Sequence, residues 1–146
     1  MKAGTEELKA DFERLKQLRV KIKKALELEE MARNSATRVT SLLSPTPKGK
    51  ADSSKVELYT VKALEAARLR AELEADYLIL QMETTEKIMS AIGDPLTCAV
   101  LIRRYVEGDC WQKIFDALDC SPRQCFRLHR AGLNELERSG DVFRDG

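Results

Sequence analysis

From Thr5 to about Leu43 the chain runs without a proline or glycine, and its apolar residues keep a coiled-coil register. Leu8, Leu15 and Ile22 recur every seven residues, and Leu18, Ala25, Ala32 and Val39 form a second row with the same period. Together the two rows alternate gaps of three and four, which only a helix can gather on one side. A pattern of this length excludes a β-rich fold for the first third of the chain. Beyond Ile22 the seam narrows to Ala25, Ala32 and Ala36, small enough for a partner helix to approach closely. Asn34, Ser35, Thr37, Thr40 and Ser41 weaken helix propensity toward its end.

Ser44–Ser54 (S-P-T-P-K-G-K-A-D-S-S) is the clearest break. Pro45 and Pro47 stop a helix and Gly49 frees the backbone. A second long helix is expected from Lys55 to about Ile92. Its stripe is Val56, Tyr59, Ala63, Ala66, Leu73, Tyr77 and Leu80, continued by Ile88 and Ile92, with Arg70 inside it. Two such helices joined by a short loop predict an antiparallel hairpin about 55–60 Å long. Leu58, Leu64, Leu69, Ile79 and Met82 lie off the seam and imply a second contact face, for which another copy of the chain is the expected occupant.

The composition agrees with long helices: 43% hydrophobic, 34% charged and only 5% aromatic. No run of 18 apolar residues is present, so no membrane span is expected. The start, M-K-A-G-T-E-E-L, lacks the apolar stretch of a secretion signal, and a cytoplasmic protein is the expectation.

Gly93-Asp94-Pro95 punctuates the chain again. Asp94 suits an N-cap and Pro95 the first position of a helix whose apolar face is Leu96, Ala99, Val100, Ile102 and Tyr105 and which Gly108 ends. Trp111, Ile114, Phe115 and Leu118 make one face of the next helix. After a break at Asp119-Cys120, Ser121 stands at an N-cap and Pro122 at the first helical position. Cys125, Leu128, Leu133 and Leu136 then form an apolar back, while Arg123, Gln124, Arg127 and Arg130 point elsewhere. A short helix, a tight turn and a second helix with a packed back and a basic front is a helix-turn-helix. The chain is therefore expected to be all-α, with a hairpin over 1–93, a three-helix helix-turn-helix unit over 94–138 and a loose tail over 139–146.

The formal charge of +1 is uninformative, but its distribution is not. Between Ser121 and Asn134 stand Arg123, Arg127 and Arg130 with no acid; Arg14–Lys24 holds Arg14, Lys16, Arg19, Lys21, Lys23 and Lys24, also with no acid. A solvated helix face is the plain alternative for each, weaker for the arginines. Cys110, Cys120, Cys125 and the single histidine, His129, offer zinc-type donors without the spacing of zinc ligands. All four cysteines, Cys98 included, are expected to be buried thiols filling the core, with no metal or cofactor.

The run L-I-R-R-Y-V-E-G-D-C-W-Q-K-I-F-D-A-L-D-C-S-P-R-Q-C-F-R-L-H-R-A-G-L resembles the DNA-binding region 4 of sigma factors as it occurs in small phage and prophage regulators. With T-S-L-L-S-P-T-P-K-G-K-A-D-S-S-K-V at Thr40–Val56, nearly the whole chain resembles the phage family called domain of unknown function 1492, related to the ArpU-type late transcriptional regulators. The resemblance implies a regulator of phage transcription that binds double-stranded DNA in the bacterial host. By position it implies base contacts from Pro122, Arg123 and Arg127. Backbone contacts would come from Trp111, Gln112, Ser121, Gln124, His129 and Arg130, with Lys48 and Lys50 of the loop as further basic candidates. Phe115 stands where that family keeps a small residue, which implies a changed helix crossing, and Asp119 where the turn often has glycine. Pro122 replaces a polar base-reading residue, which implies weaker sequence readout.

Two other roles fit the same architecture: a DNA-packaging protein like a small terminase subunit, and a module that binds RNA polymerase. A homodimer favours regulation and a ring of many copies favours packaging. Catalysis is not expected, because no glycine-rich phosphate loop is present and the single histidine has no triad partners at a recognisable spacing.

Overall fold

The computed structural model describes the backbone of residues 3–42 and 50–145, and the side chains of residues 6–39 and 54–138. The fold is all-α. The helices are α1 (Ala3–Leu42), α2 (Lys50–Ala91), α3 (Pro95–Leu101), which continues into a π-helical turn (Ile102–Val106), α4 (Trp111–Leu118) and α5 (Pro122–Asp145). No helix among the described residues is long and apolar enough to cross a membrane.

Two boundaries differ from the sequence reading. Helix α2 begins at Lys50 rather than Lys55. Once Gly49 is passed no breaker remains, and Asp and Ser are well tolerated near a helix start. Residues 44–49 of the predicted loop, Lys48 among them, lie outside the described residues, as does the side chain of Lys50. Helix α5 runs on to Asp145, through the segment expected to be a loose tail. After a helix has nucleated, each further residue adds a hydrogen bond, and Gly140 alone costs only about 1 kcal/mol against continuation.

The chain falls into two compact units, residues 18–76 and residues 1–17 with 77–146. In the first, α1 and α2 pack through small residues: Ala25, Ala32, Ala63 and Ala66 are buried. Arg70 Nε donates to Glu29 Oε2 at 2.8 Å, which sets residue 29 opposite residue 70. A parallel arrangement with that pairing would hold Leu42 and Lys50 about 50 Å apart, and the eight peptide links between them span at most about 28 Å. The two helices are therefore antiparallel. Large apolar side chains are left outside this seam, among them Leu28, Met31, Leu58, Val61 and Leu64.

In the other unit the start of α1 lies along the end of α2. Lys87 Nζ bridges Glu7 Oε1 and Asp11 Oδ2, both at 2.7 Å, and Asp11 is buried. Leu15, Ile88, Val100, Leu101 and Ile114 are wholly buried and form the core with Cys125, Val106 and Leu136. Asp94 caps α3 by accepting from Thr97 N at 2.9 Å and Thr97 Oγ1 at 2.7 Å, as Asp94-Pro95 predicted. Helices α3 and α5 pack on each other across Gly132, where a Cβ would stand 2.7 Å from Leu101 Cδ1 and 2.9 Å from Thr97 Cγ2.

The π-helical turn ends on Glu107 N–H donating to the Ile102 carbonyl at 2.9 Å, and Tyr77 Oη donates to the Val106 carbonyl at 3.1 Å. Gly108, at φ 77°, turns the chain into α4, a left-handed conformation that glycine adopts without strain. The buried carboxylate of Asp109 then pairs with Arg103 and Lys113, each at 3.3 Å. The position of α4 is thereby tied to the turn before it.

Candidate nucleic-acid interface

The turn between α4 and α5 is built as its residue types require. Asp119 takes a left-handed conformation (φ 51°, ψ 46°), which aspartate tolerates better than most residues. The N–H groups of Asp119 and Cys120 both return to the Phe115 carbonyl. Ser121 Oγ accepts from Gln124 N at 3.2 Å and the Ser121 carbonyl from Cys125 N at 3.0 Å, so Ser121 is the N-cap and Pro122 the first helical residue. Pro122 has no N–H, so three orphan N–H groups remain at this helix start, and the cap satisfies that of Gln124.

On α5 the wholly buried Cys125 and Gly132 point into the core. Arg123, Arg127 and Arg130, spaced four and three apart, share the opposite side within a sector about 60° wide. All three are exposed, and none makes a hydrogen bond or ion pair with another described residue. Three guanidiniums without acids leave a concentrated positive field on one helix face. Ser121 and Pro122 are exposed beside them, and Gln124 is half-buried. Gln112 is exposed at the start of α4 and donates to Asp116 Oδ1 at 3.1 Å.

Trp111 and His129 are placed differently from these side chains. Both belong to an aromatic cluster that the sequence reading did not foresee. Trp111 meets Phe126 edge-on at 4.8 Å and His129 edge-on at 5.0 Å, with Arg104 Cζ 4.9 Å above its ring. His129 Nε2 is 2.7 Å from Tyr105 Oη, and Tyr105 stacks in turn on Phe12 at 4.6 Å. Burial, and then the charge of Arg104, hold the His129 pKa below the usual histidine value. Phe115 meets Phe126 edge-on at 5.7 Å, so its bulk is taken up by ring contacts between α4 and α5.

Phe126 and Arg104 are the residues of this surface that sequence reasoning missed. The spacing of Trp111 and Phe115 marked an apolar face, but no periodicity in α5 pairs Phe126 with them. The cysteines divide. Cys98 and Cys125 are buried and burial pushes their thiols up, as core residues should behave. Cys110 and Cys120, also expected in the core, depart from it: Cys110, just before α4, is exposed and Cys120, in the turn after it, is only half-buried. Among the described residues no group of three or more His, Cys, Asp or Glu side chains is placed to hold a metal ion. No family model matches the chain, and no curated protein or solved structure matches it.

Proposed function

We propose that this chain is a DNA-binding regulator of transcription of the phage type, acting inside a bacterial host cell, which lays α5 in the major groove of double-stranded DNA. The observation that carries this reading is the trio Arg123, Arg127 and Arg130: exposed, unpaired, on one face of a helix whose start is fixed by a capped turn. A helix fits the major groove, and arginine is the commonest reader of guanine through its O6 and N7. Arg123 and Arg127, one turn apart near the helix start, are assigned to base edges. Arg130, with Gln112 and Gln124, is assigned to phosphates. Trp111 and His129 support this surface from within their cluster.

The chain acts as a homodimer in this reading. The alanine seam of residues 18–76 buries little, while eight large apolar side chains of that unit stay exposed, Leu64 at 66% among them. RNA polymerase is a second partner that the same basic helix suits.

The direct test is fluorescence anisotropy of the full chain on labelled random duplex over a range of salt. Binding that weakens steeply with salt is expected, from release of counterions by the arginines. Absence of duplex binding at low salt, with retention of RNA polymerase, would reassign α5 to protein contact. A ring of many copies by mass photometry would favour packaging over regulation.

A further inference from the structure

Phe126 is the one large apolar side chain left exposed among the described residues of 95–138, at 47%. It stands three residues after Arg123 and four before Arg130, at the edge of the same helix face. Its ring is held on the inner side by two edge-on contacts, with Trp111 at 4.8 Å and Phe115 at 5.7 Å. These rings occupy the space between α4 and α5 into which Phe126 would otherwise turn. The side chain is therefore braced from within and partly presented outward, and a braced group loses less freedom when it makes a contact.

The flanking charges select what such a ring meets. An apolar protein patch would cover three guanidiniums without offering acceptors, a costly desolvation. The floor of the major groove presents acceptors to the arginines, and one of its bases, thymine, adds an apolar group, its 5-methyl. We infer that Phe126 is a specificity-determining residue that packs on the 5-methyl group of a thymine in the bound site. The inference rests on the DNA-binding reading above and adds the base that the site prefers and the side chain that reads it.

The test uses the full chain. A preferred site is selected from a random duplex library, and each thymine in it is then replaced singly by uracil, which removes only the methyl. At one or two positions the replacement is expected to weaken binding about fourfold, the effect of burying one methyl-sized group. Phe126→Ala should bind the thymine and uracil duplexes equally at those positions. Phe126→Leu, which keeps an apolar side chain, should retain the discrimination. Helical circular dichroism and an unchanged salt dependence show that the variants are folded and the arginines intact.

A selected site without thymine overturns the inference while leaving the DNA reading in place. Uracil replacement without effect, or an effect that survives in Phe126→Ala, does the same. Loss of self-association in Phe126→Ala without any methyl effect would assign the ring to a protein contact and overturn it too. Failure of the unaltered chain to retain any duplex at low salt overturns the DNA reading itself, and the two failures are thereby told apart.

Discussion

Arg70 Nε lies 2.8 Å from Glu29 Oε2, and Glu29, only 2% exposed, holds Arg33 at 2.8 Å with its other oxygen. This contact explains an arginine standing inside an otherwise apolar stripe. The hydrogen bond from Arg70 draws the Glu29 carboxyl below the usual glutamate value, while burial opposes the shift. Arg70 keeps a further partner in Glu74 at 3.2 Å. Removing Glu29 leaves Arg70 half-satisfied inside the seam, so Glu29→Ala should lower the melting temperature more than the exposed Arg33→Ala. A double variant, Glu29→Leu with Arg70→Met, should recover the stability but blur the pairing of the two helices. The reason is that alanine seams specify register poorly without a polar pair. Thermal melts of the four proteins check the order. Equal melting for Glu29→Ala and the unaltered chain would exclude a role for the pair.

Gly132 sits where α5 crosses α3 against the buried Leu101. Gly132→Ala gains helix propensity of about 1 kcal/mol but drives a methyl into a packed side chain, at a cost of about 1–3 kcal/mol. A net loss of about 1 kcal/mol is expected in urea unfolding, and a larger one for Gly132→Val. A gain in stability from the alanine would show that Leu101 can move aside.

His129 is the single histidine of the chain, so its proton resonance can be followed without ambiguity. Its pKa is held below the usual value, 6.5, first by burial and then by Arg104. The unfolded chain then binds the proton more readily than the folded one, and stability rises with pH across this window. The contribution is complete above pH 6.5 and is lost as the pH falls through the lower folded value. Urea midpoints should therefore fall between pH 7.5 and pH 5.5, and His129→Gln should flatten that slope. A resonance titrating above 6.5 would contradict the burial of the ring.

The three arginines should separate by role. Arg130→Ala should weaken all duplexes alike and flatten the salt dependence by about one unit of slope. Arg123→Ala or Arg127→Ala should cost about 1–3 kcal/mol on a preferred site and much less on random DNA. Equal losses from all three on both duplexes would indicate a nonspecific basic face.

Self-association is tested on the full chain by sedimentation. A glutamate at Leu64 or Met31, both exposed in one copy, should weaken the dimer about tenfold or more if it enters an apolar interface. A chain that sediments as a monomer at tens of micromolar would remove the dimer from the proposal.

Local signals in the chain settled the helices and their punctuation. The seven-residue rows of α1 and the stripe of α2 put Leu8, Leu15, Ala25, Ala63 and Ile88 in the buried positions where they are found. Asp94-Pro95, Gly108, Asp119 and Ser121-Pro122 act through their own backbone and near neighbours, so their caps and turns were legible without any tertiary contact. The arginine face of α5 followed from helical spacing alone. What the tertiary structure decided are relations between residues far apart in sequence: Glu29 with Arg70, Lys87 with Asp11, Phe12 with Tyr105, Gly132 with Leu101. Periodicity says which side of a helix is covered, but not by which partner. The aromatic cluster is the clearest case. Helical spacing put Trp111 on an apolar face but named no partner for it or for His129; their ring contacts arise only when the helices fold together, and Phe126 becomes notable only because Trp111 and Phe115 stand on its inner side.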